Sequence, residues 1–194
     1  GTLKFDKTGA YSLIQTGLER ESGLLTETES KQLLSAYGLP VNPTVTTANE
    51  DDAVALAEKI GYPVVMKIDS PDIVHKSDAG TVVLNIRAAE EIRAAFNRVM
   101  TNARNYNSKA RIKGVSIQKM ITTFDYELII GAKTDRDFGP VLLFGMGGLH
   151  TELFQDRALA LPPLNRLLVK RMMEETKIYA ALMGYRNQPG VDLP

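Results

Sequence analysis

Residues 61–84 gather the side chains best suited to chemistry: Gly-Tyr-Pro-Val-Val-Met-Lys-Ile-Asp-Ser-Pro-Asp-Ile-Val-His-Lys-Ser-Asp-Ala-Gly-Thr-Val-Val-Leu. The apolar run Val64 to Met66 predicts a buried strand that delivers Lys67 at its end. A loop of turn formers and charges, Asp69 to Gly80, follows with His75 at its centre, and Thr81 to Ile86 predicts a second strand. A lysine at a strand end beside a polar loop suits a phosphate site, where it acts as a point charge on phosphate oxygens. A neutral imidazole can attack a phosphoryl group and hold it as a phosphoramidate. Lys67 and Lys76 would then offset the added negative charge. Plainer readings stand beside these. Lys67 can snorkel to solvent, and His75 can be an ordinary surface residue.

Other candidates lie further along. Gln118-Lys119-Met120 ends a predicted strand, where backbone amide and carbonyl groups could meet an adenine ring; an ordinary strand end reads equally well. Glu127 shares a predicted strand face with Ile129 and Gly131, and a carboxylate on an apolar face needs a partner, such as a ribose hydroxyl or Lys67. Gly145-Met-Gly-Gly148 permits close backbone approach to a ligand, or is simply a tight turn. His150 is assigned no functional role. Neither common nucleotide motif occurs: Lys76-Ser77 lacks the preceding glycine of a P-loop, and Gly145, Gly147 and Gly148 do not complete Gly-x-Gly-x-x-Gly.

Composition narrows the field. The 194 residues carry 23 basic and 23 acidic side chains, so no overall field favours nucleic acid or an anionic membrane, and any anion site must be local. The absence of cysteine excludes disulfides, zinc-thiolate sites and cysteine nucleophiles and fits a reducing, cytoplasmic setting. No apolar run approaches the roughly 20 residues of a membrane span.

The elements that must position these groups follow from local signals. Residues 1–24 show no clear period and read as a linker or leader. Thr26-Glu-Thr-Glu29 is a capping box opening a helix whose stripe is Leu33, Leu34 and Tyr37, stopped by Gly38. Asn49 caps a second helix that buries Ala53, Leu56, Ala57 and Ile60, and Gly61 ends it where the Val64 strand begins. Residues 88–106 form the longest helical pattern, burying Ile92, Phe96, Val99 and Ala103. Strands are expected at 41–47, 115–120, 126–133 and 141–144, a further strand at 151–154, and one or two helices over 166–183. The order is that of an α/β (α+β) chain with more strands than simple alternation would produce.

Several runs together resemble the ATP-grasp domain of NDP-forming acyl-CoA synthetases, the ADP-forming acetyl-CoA synthetase family related to succinyl-CoA synthetase β subunits. They are residues 29–40, Gly61 to Lys67, Ser-Pro-Asp-Ile-Val-His-Lys-Ser-Asp-Ala-Gly over 70–80, Gly114 to Met120, Glu127 to Gly131 and Phe138 to Gly148. The likeness spans about residues 25–194, and the Pro-Asp-Ile-x-His-Lys-Ser-Asp run is its most specific part. It implies an ATP-grasp fold of two lobes, each a mostly antiparallel sheet with packed helices, the first over about 25–120 and an incomplete second over about 121–194, with ATP or ADP clamped between the sheets.

On the same resemblance, Lys67 would contact phosphates, Gly80 and Thr81 would belong to a phosphate-covering loop, Gln118 and Met120 would border adenine, and Glu127 would meet the nucleotide's polar groups. His75 would take a phosphoryl group from a second phosphohistidine on the CoA-ligase part and pass it to ADP. Its loop must therefore move. The implied reaction is acyl-CoA + ADP + phosphate ⇌ carboxylate + CoA + ATP, with Mg²⁺. A metal-carrying acidic-x-Asn segment would follow Asp192-Leu193, beyond Pro194, and CoA-binding and acyl-CoA ligase domains or a partner subunit would complete the enzyme, so this chain alone should not turn over. Two other readings stay open: a regulatory nucleotide-binding module of a larger acyltransferase fusion, and an ATP-grasp ligase working through an acyl phosphate, which would not need His75.

Overall fold

The structure is a computed structural model that describes residues 5–148, 151–187 and 189–192. It separates into two units, Gly1–Ile121 and Thr122–Pro194, each with its own core.

In the first unit the elements are α1 (Lys7–Leu18), α2 (Glu27–Ala36), β1 (Thr44–Thr47), α3 (Glu50–Ile60), β2 (Val64–Asp69), β3 (Val82–Ile86), α4 (Ala89–Tyr106) and β4 (Gly114–Lys119). The sheet order is β1-β4-β2-β3, and every pairing is antiparallel. Alternation along β2 and β4 divides the sheet into two faces. Val64, Met66, Ile68, Val115 and Ile117 are buried against the apolar stripes of α3 and α4, where Ala53, Ala57, Ile92, Val99 and Ala103 are fully enclosed. The opposite face carries Lys67, Asp69, Ser116 and Gln118 at paired positions, Lys67 opposite Ser116 and Val65 opposite Gln118. This polar face positions the candidate site.

Helix α2 lies on the polar side and opens with the expected capping box: Thr26 Oγ1 accepts from Glu29 N and Glu29 Oε2 accepts from Thr26 N. Its expected apolar stripe is not its buried face. Leu34 and Tyr37 are exposed, and the buried residue is Glu29, held by Arg20 through two hydrogen bonds of 2.7 and 2.6 Å and by Lys113 at 2.7 Å. Arg20 above all, with Lys113, holds the Glu29 carboxyl far below the usual carboxylate range against the opposing effect of burial.

The linker expected over residues 1–24 gives way to a helix over 7–18, capped by Asp6 through a 3.0 Å bond from Gly9 N. Its buried positions are Ala10 and Gly17, with Gly17 close to Leu25, while Tyr11 and Leu18 face solvent. A face made of small residues has no hydrophobic period to read.

In the second unit, β5 (Leu128–Asp135), β6 (Gly139–Met146) and β7 (Arg157–Ala160) form an antiparallel sheet in that order, with α5 (Thr151–Phe154), α6 (Arg166–Glu174) and α7 (Lys177–Leu182). Phe144 and Ala158 pack against Met172, Ile178 and Leu182 of α6 and α7. The carboxylate of buried Asp156 accepts the amides of Lys177 and Ile178, both at 2.7 Å, and so caps α7. Residues 151–154, expected as a strand, form a helical turn because Thr151 bonds back to the Gly148 carbonyl and Gln155 N closes onto Thr151 O. The strand that pairs with β6 comes later, at Arg157–Ala160.

Candidate functional site

The polar face of the first sheet carries a cluster of three lysines around one carboxylate. Lys67 Nζ lies 2.8 Å from Glu27 Oε1, Lys31 Nζ 3.2 Å from the same oxygen, and Lys76 Nζ 3.8 Å from Glu27 Oε2. Each of the four side chains is about a fifth exposed, with values of 18–24%. Lys67 sits inside β2 rather than at its end, because the strand runs on to Asp69, which pairs with Gly114. Helix α2 brings Glu27 and Lys31 to the cluster one turn apart, and the loop after β2 brings Lys76.

Burial alone would push the Glu27 carboxyl up, but the Lys67 hydrogen bond and the charges of Lys67 and Lys31 outweigh it and hold the group below its ordinary value. For Lys31 burial dominates and pushes the amine down; Glu27 opposes this while Lys67 and Lys76 add to it. Such a cluster holds more positive than negative charge and is ready for an anion.

Gln118, expected at the border of an adenine, directs its side-chain oxygen into this cluster. It accepts hydrogen bonds from Lys31 Nζ and, at 3.0 Å, from Thr44 Oγ1. Met120 lies just past β4, half-buried, with its amide bonded to Pro63 O at 3.0 Å.

The histidine loop is anchored at both ends and open in the middle. Ile73 and Ala79 are buried in the first unit's core, whereas Val74 and His75 are exposed. Asp72 is gripped by Arg111 through its backbone N and its guanidinium at 2.7–3.0 Å, and this pairing lowers the Asp72 carboxyl to about 2. On the other side Thr81 is fully buried, with its amide and its hydroxyl both donating to the Lys76 carbonyl at 2.9 Å. Gly80 takes a positive φ of 63°, and its carbonyl accepts from Asn102 Nδ2 at 2.7 Å. Thr81 therefore closes the loop on itself, and its hydroxyl is already engaged. The side chain of His75 makes no hydrogen bond to the described residues, and its carbonyl accepts from Ala79 N.

Glu127 belongs to the second unit and is exposed just before β5, not enclosed on an apolar face. Its carbonyl accepts from Gly147 N at 2.7 Å. A Cβ added to Gly147 or Gly148 would come within 3.0 Å of Glu127, and Gly148 holds φ at 85°, so the Gly-Met-Gly-Gly turn is the shape that lets the backbone close around this acid. His150 lies outside the described residues. Among the described residues no group of three histidine or acidic side chains could hold a metal by itself, and no helix is long and apolar enough to cross a membrane.

Sequence reasoning found Lys67, Lys76 and His75 but missed Glu27 and Lys31. Both sit inside the capping-box helix, where an acid in the first turn and a lysine four residues later read as ordinary helix chemistry.

Comparison with known proteins gives the family. The ATP-grasp domain family matches residues 16–194. The acetate–CoA ligase [ADP-forming] I subunit β of Pyrococcus furiosus is 42% identical over 89% of this chain and 74% of its own length. The 4-hydroxybutyrate–CoA ligase [ADP-forming] of Nitrosopumilus maritimus is 40% identical over 98% of this chain, which spans only 27% of that protein. Among solved structures, the dinucleotide-forming acetyl-coenzyme A synthetase 1 of Ca. Korarchaeum cryptofilum superposes with a TM-score of 0.72 at 35% identity, over 94% of this chain and 78% of that one. That structure holds coenzyme A and Mg-AMPPCP, with its phosphohistidine segment pointing towards the nucleotide-binding site. The chain belongs to the ATP-grasp domain family, in the form carried by ADP-forming acetyl-CoA synthetases.

Proposed function

We propose that this chain is the nucleotide-binding, phosphoryl-relaying part of an ADP-forming acyl-CoA synthetase. The observation that carries the reading is the open His75 on an anchored loop whose next residue, Lys76, shares the carboxylate of Glu27 with Lys67. His75 bears the phosphoryl group, and Lys67 meets the nucleotide's phosphates. In the synthesis direction the N–P bond at His75 breaks as a terminal oxygen of ADP forms the new P–O bond, giving ATP and free imidazole. Neutral imidazole is the form that attacks a phosphoryl group in the reverse step. On the first unit Gln118 and Met120 are the proposed adenine-side residues; on the second, Glu127 is the proposed contact to the nucleotide's polar groups.

The residues present suit a magnesium ion only as a companion of the nucleotide. Mg²⁺ is commonly held by one or two carboxylates together with substrate phosphates, and the described residues offer no larger acidic set. When bound it would neutralise phosphate charge.

The remaining chemistry belongs to CoA-binding and acyl-CoA ligase parts of the same enzyme, in the cytoplasm. The acid itself is not chosen here: relatives of nearly equal identity are ligases of acetate and of 4-hydroxybutyrate. The test is steady-state ATP formation from acyl-CoA, ADP and phosphate by the assembled enzyme. His75→Ala is expected to abolish turnover while leaving the affinity for Mg-ATP unchanged. Normal turnover in that variant would remove the relay and favour an acyl-phosphate ligase. Nucleotide binding without any acyl-CoA-dependent turnover in the unaltered enzyme would favour the regulatory module.

A further inference from the structure

The lysines around Glu27 are not equivalent. Lys31 Nζ donates to Thr44 Oγ1 and Gln118 Oε1 and lies 3.2 Å from Glu27 Oε1, so its ammonium is surrounded by protein acceptors. Among the described residues the Lys67 ammonium donates one hydrogen bond, at 2.8 Å to Glu27, and the Lys76 ammonium makes none, with its nearest acid oxygen at 3.8 Å. One carboxylate thus faces a strut, a half-free donor and a free donor. Without it three ammonium groups would confront one another with no counter-charge, and the flexible stems of Lys67 and Lys76 would turn to solvent.

Resting on the reading above, we propose that Glu27 is a positioning residue, braced by Lys31, that holds Lys67 and Lys76 side by side so that both donate to one phosphate, the one passing between His75 and the nucleotide. Lys76 is then a phosphate-binding residue in its own right. Because it follows His75 directly, the same contact ties the histidine's loop to the sheet. Glu27 does not touch the phosphate. Its carboxylate occupies the inner side of the two ammonium groups and leaves their remaining donors outward.

The charged groups around Lys31 are Glu27 from one turn back on α2, Lys67 from β2 and Lys76 from the loop, while β1 and β4 present the neutral Thr44 and Gln118. Glu27 is the one member that favours the protonated amine. Removing its charge therefore brings the first loss of a proton in the cluster to lower pH.

The test combines Mg-ATP titration of the assembled enzyme across pH with trace labelling of its lysine amines, read by mass spectrometry. Glu27→Gln is expected to weaken Mg-ATP about tenfold, to move the alkaline limit of binding to lower pH, and to raise the labelling of Lys67 and Lys76. Glu27→Asp should recover part of each effect. Lys76→Ala, which keeps the backbone carbonyl that accepts from Thr81, should weaken Mg-ATP several-fold, and more for ATP than for AMP. If the unaltered enzyme binds Mg-ATP and Glu27→Gln keeps its affinity, pH limit and labelling pattern, the positioning role is overturned while the nucleotide reading stands. The same holds if Glu27→Gln weakens binding equally at all pH values with labelling unchanged, since a purely structural residue would do that. If the unaltered enzyme binds no Mg-ATP, the nucleotide reading falls and takes the shared-phosphate role with it.

Discussion

Lys67 and Glu27 meet at 2.8 Å on the polar face of an otherwise ordinary sheet, and what the lysine does depends on its remaining donors. A lost charge-assisted hydrogen bond costs about 1.5–3 kcal/mol, so Lys67→Ala is expected to weaken Mg-ATP by roughly that amount in calorimetric titration. Unchanged affinity would remove Lys67 from the site. The acids differ in their burden. Glu29 is almost fully buried, and its carboxyl lies far below the carboxylate range because of Arg20. A carboxyl depressed in the folded state contributes stability above its unfolded value of about 4.3 that disappears as pH falls. Thermal unfolding followed from pH 7 to pH 3 should therefore show Glu29→Gln less stable than the natural protein at pH 7, by about 3–5 kcal/mol for a broken buried pair, with the gap narrowing as pH falls below about 4.3. A gap that stays constant with pH would contradict the assignment.

At the scale of elements, the loop between β2 and β3 combines an open centre with anchored ends. Ile73 is 1% exposed, and His75 is only two residues away, so with Ile73 in place the histidine Cα stays within about 7 Å of it, given roughly 3.3–3.6 Å per residue. A longer excursion requires Ile73 to leave the core. Ile73→Ala is expected to cost about 2–5 kcal/mol in denaturant unfolding and to speed amide hydrogen exchange across residues 74–80. Exchange no faster than in the natural protein would show that Ile73 is not the anchor. Helices α3 and α4 and the strands β2, β4 and β6 were legible because their apolar residues recur at 3.6 or 2 with Gly and Asn punctuation. Helix α1 was not, since its contact face is Ala10 and Gly17, nor was β7, whose Arg-Ala-Leu-Ala carries little strand preference. In the site, His75 and Lys67 stood out by residue type. Glu27 and Lys31 did not, because their meeting with β2 joins residues 40 and 36 positions apart, which only the folded sheet brings together.

For the whole molecule, two cores imply two cooperative units. A fragment of residues 1–121 is expected to fold alone, with a cooperative urea transition and the far-UV signal of its helices; a fragment without such a transition would show that the first core depends on the second unit. On the proposed function the phosphoryl group passes through His75. That step is tested most directly by incubating the assembled enzyme with Mg²⁺ and ATP labelled at the γ-phosphate, then mapping acid-labile, base-stable label by mass spectrometry. Phosphate is expected on His75, discharged by ADP as labelled ATP, and none in His75→Ala; label absent from the unaltered enzyme's His75, or persisting undiminished in the variant, would rule the relay out.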